Sequence, residues 1–460
     1  MLLYLSIVFV GFLILVYSIK LFSAPFFALA ENSIALVNTL LLKIDEDEKV
    51  ALVQKQNTKL IFSLFKMFAV LFLAIVLGSI PFVIYCLIED QSYQELDFSS
   101  WQSILALSAG STVGFLIPVK KKITEGYSEL SQLLHRMALN NYAVAYKLFK
   151  LEAKKLPQKG IQTKSKFVIV TGLARSGTTS LMNRLLENNV FASLDYSNMP
   201  FLTAPNLWKR FYDPKGSEKK ERSHKDGIMI GLESNEALEE YFFKVLGHDH
   251  YIGDDSLKKY ALAEAQYEDY LRYQAVVRNK EQATYLAKNN NFILRYESIR
   301  KLNPDFLAIF MFRDPLSHAA SLLEKHKDYT AMQAEDPFVL EYMNWLGHHE
   351  FGQHQKPFQF TAESNQFSDD KLSLDYWLEI WINYYCYLLT LERKNVIFVD
   401  YELYCNEPKL ILERIYKQLQ VDVKVQDVVP FNNKRKLDYS YSEELKRKAD
   451  SIYNQLKSIA

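Results

Sequence analysis

Two long apolar stretches dominate the first part of the chain. Residues 1–19 are almost wholly apolar, with Lys20 the first charge, and Met67–Ile88 is a run of 22 residues without any charge. At about 1.5 Å per residue that run is about 33 Å long as a helix, enough to cross a hydrocarbon core of about 30 Å. A third, weaker run, Trp101–Val119, includes Ser108, Ser111 and Thr112. It either spans or lies on the surface. Ala28-Leu29-Ala30 mimics a signal-peptide cleavage site. No basic segment precedes the first run, however, and that run is long for a signal core. The pattern therefore predicts two or three transmembrane helices.

Downstream the period changes. Leu130, Leu133, Leu134, Met137, Ala138, Tyr142, Ala145, Leu148 and Phe149 recur at three- and four-residue steps, predicting one helix over 123–157 that Leu156-Pro157-Gln158-Lys159-Gly160 ends. Short apolar, β-branched or aromatic runs then follow at Phe167–Val170, Phe306–Phe312 and Val396–Val399, as in strands buried on both faces of a parallel sheet. The expected fold class is α/β: a P-loop-like, doubly wound parallel sheet flanked by helices, preceded by a helical transmembrane segment. The expected division is a membrane region over 1–122, a connecting helix over 123–160 and a catalytic α/β domain over 161–460.

Charge adds orientation. Lys and Arg total 54, as do Asp and Glu, so general nucleic-acid affinity is not expected. Lys43, Lys49, Lys55, Lys59 and Lys66 lie between the first two runs, and Lys120–Lys122 follow the third. Between the second and third runs stand Glu89, Asp90, Glu95 and Asp97 with no Lys or Arg. With three spans, the positive-inside rule puts that acidic loop outside and everything after residue 120 in the cytoplasm; with two, the prediction reverses. Cys86, Cys386 and Cys405 have no metal-ligand spacing and read as reduced thiols.

Residues 166–181, Lys-Phe-Val-Ile-Val-Thr-Gly-Leu-Ala-Arg-Ser-Gly-Thr-Thr-Ser-Leu, carry the first candidate chemistry. A buried strand enters a Gly172–Gly177 turn, and a helix begins beyond it. Free amides at a helix start attract anions. Gly177 permits close approach, Arg175 adds a forked cation, and Ser176, Thr178, Thr179 and Ser180 add hydroxyls. The spacing of Gly172, Gly177 and Thr179 is that of a nucleoside-triphosphatase loop, but Thr178 stands where its lysine belongs. That lysine neutralises the β- and γ-phosphates, so ATP chemistry is the poorer reading.

A second clamp follows Phe306–Phe312. Asp314 suits an N-cap and Pro315 the first helical position, with Ser321 eight residues after Arg313. Arg313 and Ser321 form a candidate grip on another anionic group. Two anion sites on strand ends of one sheet imply a ligand with two separate anionic groups.

These two motifs together resemble the sulfotransferases that use 3′-phosphoadenosine-5′-phosphosulfate (PAPS). Arg175-Ser-Gly-Thr-Thr-Ser180 is similar to the loop that holds the 5′-phosphosulfate, and Arg313 with Ser321 to the pair that holds the 3′-phosphate. His224-Lys-Asp-Gly227, Ser234-Asn-Glu-Ala-Leu-Glu239, Lys288-Asn-Asn290, Gly347-His-His-Glu350 and Tyr401-Glu402-Leu403 resemble words of the bacterial branch. The likeness covers roughly residues 165–430.

The resemblance implies PAPS as co-substrate, no metal, and in-line transfer to an acceptor hydroxyl or amine with a general base. Three candidates for that base stay open: His224, Glu236 and Asp195. Lys434-Arg435-Lys436 either closes over the 3′-phosphate or is a solvated turn. His348, His349 and Glu350 read as a loop near the acceptor pocket rather than a metal site. Membrane lipids are expected neighbours, and the acceptor class is a lipid, glycolipid or glycan. The competing readings are a P-loop kinase or NTPase, whose Mg²⁺-positioning strand Val396–Asp400 mimics, and a non-catalytic membrane scaffold.

Overall fold

The computed structural model describes Met1–Ala460 apart from residues 91, 120–128, 213–219, 222–228, 231–236, 362–366, 424, 426–429 and 431–438. The chain forms two compact units, Met1–Val144 and Ala145–Ala460.

In the first unit, helix α1 is Leu2–Leu21, α2 Ala24–Leu41, α3 Glu46–Glu89 and α4 Trp101–Leu116. Three of these, α1, α2 and α3, are long and apolar enough to cross a membrane. Two expectations change here. Ala24–Leu41 is a helix that the three apolar runs did not anticipate. The third run is also shorter than expected, 16 residues. Pro118 biases the preceding Ile117 toward extended backbone, and its ψ is 122°. The lysines expected in a loop between spans stand largely on α3, whose 44 residues make a rod of about 66 Å.

Pairing in this unit follows small residues. A Cβ on Gly110 would come within 2.2 Å of the Phe9 carbonyl oxygen, and one on Gly114 within 2.6 Å of that of Leu13. The spacing of Gly110 and Gly114 thus presses the α4 backbone onto α1, as small-xxx-small faces do between membrane helices. α1 and α3 run antiparallel: Tyr4 packs against Tyr85, and a Cβ on Gly78 would meet the Cβ of Leu15 at 2.9 Å. α2 continues along the earlier part of α3, where Asn32 Nδ2 donates to Ser63 Oγ at 2.7 Å. Lys20 Nζ donates to the Phe115 carbonyl at 2.6 Å and that of Ile117 at 2.9 Å, satisfying the end of α4.

The stretch expected as one helix over 123–157 is, in its described part, two: α5, Glu129–Leu139, and α6, Tyr142–Ala153. Asn140-Asn141 breaks it because amide side chains compete for helix-end groups. Asn141 Nδ2 donates to the Met137 carbonyl at 2.7 Å. Asn38 of α2 then accepts from the Ala143 amide at 2.9 Å, capping α6 from outside.

The second unit holds a five-stranded parallel sheet: β1 Val168–Thr171, β2 Phe191–Ala192, β3 Thr284–Lys288, β4 Leu307–Phe312 and β5 Val396–Asp400, in the order β2-β3-β1-β4-β5. All of β1 and β4 is buried, which explains their unbroken apolar runs. Val168 lies opposite Leu286 on one side and Leu307 on the other, so β1 is central. The chain leaves β1 toward β2, returns through β3, and crosses to β4 on the far side. That reversal puts the loops after β1 and β4 beside each other at the carboxyl ends, where α/β sheets bind ligands.

Candidate functional site

Helix α7, Thr178–Leu186, begins directly after the loop that follows β1. Gly177 has φ 98°, and a Cβ there would meet the Tyr401 ring at 2.3 Å. Glycine is required on both counts. Arg175 also has positive φ, 73°, rare for a residue with a side chain. This turn sends its guanidinium toward the neighbouring helix, Pro315–Glu335, where Nε donates to Ser321 Oγ at 3.2 Å. Residues 146 apart in sequence, each a candidate for a different anion site, therefore meet.

The helix start after β4 forms as its residues predict. Asp314 accepts from the Ser317 amide at 2.9 Å as N-cap, and Pro315 opens the helix. One turn later His318 Nε2 lies 2.7 Å from the Ala174 carbonyl, which fixes that nitrogen as the N–H and ties the loop to the helix. Burial, with smaller effects from Arg313 and Arg175, pushes the His318 pKa down to about 3, so the tie is neutral. Ser321 is fully buried.

Arg313 is 4% exposed, with Nε buried and without a hydrogen bond. The Glu402 carboxylate lies 3.6 Å from it, and the guanidinium sits over the Tyr401 ring at 4.7 Å. A buried guanidinium nitrogen left with no hydrogen bond fits an incoming anion. Glu402 Oε2 accepts from the Asp314 amide at 3.1 Å and from Tyr453 OH at 3.2 Å; that phenol also donates to Asp400 Oδ1 at 3.1 Å. Burial first, and then Asp400, raise the Glu402 pKa to about 7.

One cation at this loop is absent from both motifs. Lys288, at the end of β3, donates from Nζ to Thr179 Oγ1 at 2.7 Å, at the start of α7. The ammonium group absent at Thr178 is thus present at the same helix start from the neighbouring strand. Only the register of β3 beside β1 brings it there. The available signal was a lysine ending an apolar strand, inside Lys288-Asn-Asn290.

The expected bases fare differently. Asp195 caps its own short turn, Tyr196–Asn198, and accepts from the Ser197 amide at 2.9 Å, so its carboxylate serves the backbone. His224 and Glu236 lie outside the described residues, as do Lys434–Lys436 and Lys120–Lys122. Glu239 is buried and accepts from Tyr270 OH at 2.6 Å, Tyr285 OH at 2.8 Å and Asn289 Nδ2 at 2.9 Å. Among the described residues no group of three or more His, Cys, Asp or Glu converges to hold a metal.

Residues 168–355 match the model of the sulfotransferase family. No curated protein matches the chain by sequence. Among solved structures, the sulfotransferase STF9 from Mycobacterium avium is similar at 15% identity over 82% of this chain and 96% of that one, with a TM-score of 0.39. STF1 from Mycobacterium tuberculosis H37Rv is similar at 16% identity over 71% and 82%, TM-score 0.35. A sulfotransferase from Alicyclobacillus acidocaldarius is similar at 13% over 63% and 92%, TM-score 0.31. The matched segment holds Arg175, Lys288, Arg313 and Ser321. Over residues 168–355 this chain thus resembles the sulfotransferase family, whose chemistry is sulfuryl transfer.

Proposed function

We propose that the chain transfers the sulfuryl group of PAPS to a hydroxyl or amine of a lipid, glycolipid or glycan acceptor at the cytoplasmic face of a membrane. The Arg175–Ser321 contact supports this reading, because it joins the loop after β1 to the helix of the second motif. On this reading Arg175, Lys288 and the loop Ser176-Gly177-Thr178-Thr179-Ser180 hold the 5′-phosphosulfate, and Arg313 and Ser321 the 3′-phosphate. Charge on the leaving phosphate grows as the S–O bond breaks, so fixed cations and oriented amides stabilise the transition state more than the ground state. A kinase has less support: Lys288 supplies a cation, but Arg313 answers an anion that ATP does not carry.

The membrane reading rests on which charges share an end. Lys20 reaches the carbonyls that end α4, and Lys66 stands where the apolar half of α3 begins. Glu89, Asp90, Glu95 and Asp97 lie at the opposite end, beside Tyr4 and Tyr85. We take α1, the apolar half of α3 and the shorter α4 as the crossing helices and α2 as non-crossing; basic residues then gather at one end and acidic ones at the other, as the positive-inside rule requires for a cytoplasmic second unit.

Purified full-length chain incubated with ³⁵S-labelled PAPS and a total lipid and glycan extract is expected to label an acceptor without added Mg²⁺, and γ-labelled ATP to label nothing. Binding of 3′,5′-ADP with no transfer to any fraction supports the scaffold instead. For orientation, a membrane-impermeant maleimide is expected to label Glu95→Cys in intact cells and the exposed Cys386 only after permeabilisation. The reverse pattern overturns the cytoplasmic assignment.

A further inference from the structure

One polar cluster next to Lys288 has no part in the contacts just described. Asn290 comes two residues after Lys288, at most about 7 Å of chain. Its Nδ2 donates to Glu350 Oε1 at 3.0 Å, and Asn291 Nδ2 donates to the Gly347 carbonyl at 2.9 Å. The loop Gly347–Glu350 is therefore fastened to the strand end whose lysine reaches Thr179. Glu350 Oε2 also faces His348 Nδ1 at 3.3 Å. Glu350 is 8% exposed at its side chain and His348 is 20% exposed.

A buried carboxylate behind a half-open imidazole fixes the tautomer and leaves Nε2 as the nitrogen able to accept a proton. Burial works against the Glu350 charge, but His348 and the Asn290 hydrogen bond outweigh it and hold the carboxyl at about 2. His349, next in the chain, is different. It is buried, its Nδ1 is 3.1 Å from the His354 carbonyl, and burial lowers its pKa to about 4. Charged groups against this loop include Glu350, Lys356 and, from the helix Glu240–Gly247, Glu240 and Lys244.

We propose that His348 is the general base of the transfer, with Glu350 and Asn290 as its positioning residues. This rests on the sulfuryl-transfer reading. The acceptor oxygen or nitrogen bonds to sulfur as its proton passes to His348 Nε2. The bond between sulfur and the bridging oxygen breaks, and its electron pair leaves with that oxygen on the phosphate of 3′,5′-ADP. No oxidant, reductant or metal enters the balance. Asp195, whose Oδ1 accepts from the Ser197 amide, is the competing candidate among the described residues.

The test uses the full-length chain, ³⁵S-labelled PAPS and the lipid and glycan extract, with calorimetric titration of 3′,5′-ADP in parallel. His348→Ala is expected to lower kcat by about 10²-fold or more, the usual range for a positioned base, with 3′,5′-ADP affinity within twofold of wild type. Added imidazole should restore part of the rate, which repair of a merely structural loss would not do. Glu350→Gln should lower kcat by about tenfold and shift the acid limb of the pH–rate profile. Wild-type kcat in His348→Ala, or a loss that imidazole leaves untouched while 3′,5′-ADP still binds, overturns the base assignment alone. Absence of transfer by the wild-type chain removes the transferase reading itself, and this proposal with it.

Discussion

In the unit Met1–Val144, Phe65, Phe68, Phe72, Leu87, Ile88, Leu105 and Phe115 face outward, while Gly11, Ser18, Thr39, Ser63, Gly78, Ser103, Gly110 and Gly114 are buried between helices. In the unit Ala145–Ala460 the order is the usual one. Trp377, Trp381, Tyr384, Tyr385, Phe306 and Phe310 are buried, and the buried Arg295 is paired, donating to both oxygens of Glu240 at 2.7 Å. The contrast is what two solvents would select. Where the surroundings are hydrocarbon, burying a phenylalanine between helices gains little over leaving it outside, so small residues that let backbones approach occupy many of the contacts, beside one cluster of Val8, Phe82, Tyr85 and Leu96. Where the surroundings are water, aromatic burial drives folding, and each buried charge needs a partner.

The comparison predicts where function and stability separate. Arg175→Ala has the largest expected effect: kcat for transfer falls about 10³-fold, as for loss of a transition-state donor, while the thermal midpoint of the first unit stays put. Full activity in this variant removes Arg175 from the site. Next comes one substitution made in both regions. Phe306→Ala, at a fully buried position, should cost about 3–5 kcal/mol in denaturant titration. Phe72→Ala, at a position 71% exposed, should stay within about 0.5 kcal/mol in detergent micelles. Equal costs would mean that the first unit is packed like the second.

Gly110→Leu sharpens the same point, since its side chain has to displace the Phe9 backbone. Overpacking of this kind costs about 1–3 kcal/mol. A lowered midpoint in micelles with unchanged 3′,5′-ADP affinity is expected, and an unchanged midpoint would mean α1 and α4 do not pack closely.

The smallest effects concern Arg313. Arg313→Ala should weaken 3′,5′-ADP binding by roughly 10- to 100-fold, the range of a hydrogen bond to a charged group. Glu402 adds a pH term. Its folded pKa is raised, so it is neutral below about 7 and becomes a carboxylate above, where it competes with the ligand for Arg313. Wild-type affinity should therefore fall a few-fold between pH 6 and 8, and Glu402→Gln should remove that part of the slope. Identical slopes in the two proteins exclude Glu402 as a competitor.

Much of this molecule is written locally. Charge-free runs mark α1 and the apolar half of α3, β-branched runs mark β1, β4 and β5, and Asp314-Pro315 marks a helix start. Each depends only on neighbours a few residues apart, so the sequence alone determined the α/β class and two of the three membrane-compatible helices. Other features were decided at longer range. Ala24–Leu41 is a helix against α3, although Glu31 and Asn32 interrupt its apolar pattern. Asn140-Asn141 divides an apparently continuous helix because Asn38, more than a hundred residues away, caps its second half. The register of β3 beside β1 puts Lys288 on Thr179, the reversal of strand order lets Arg175 meet Ser321, and Asn290 fastens Glu350 and with it His348. Helical and strand periods reflect spacing along one element, whereas a site is made by side chains from several. Their meeting depends on sheet order and register, which no local period encodes.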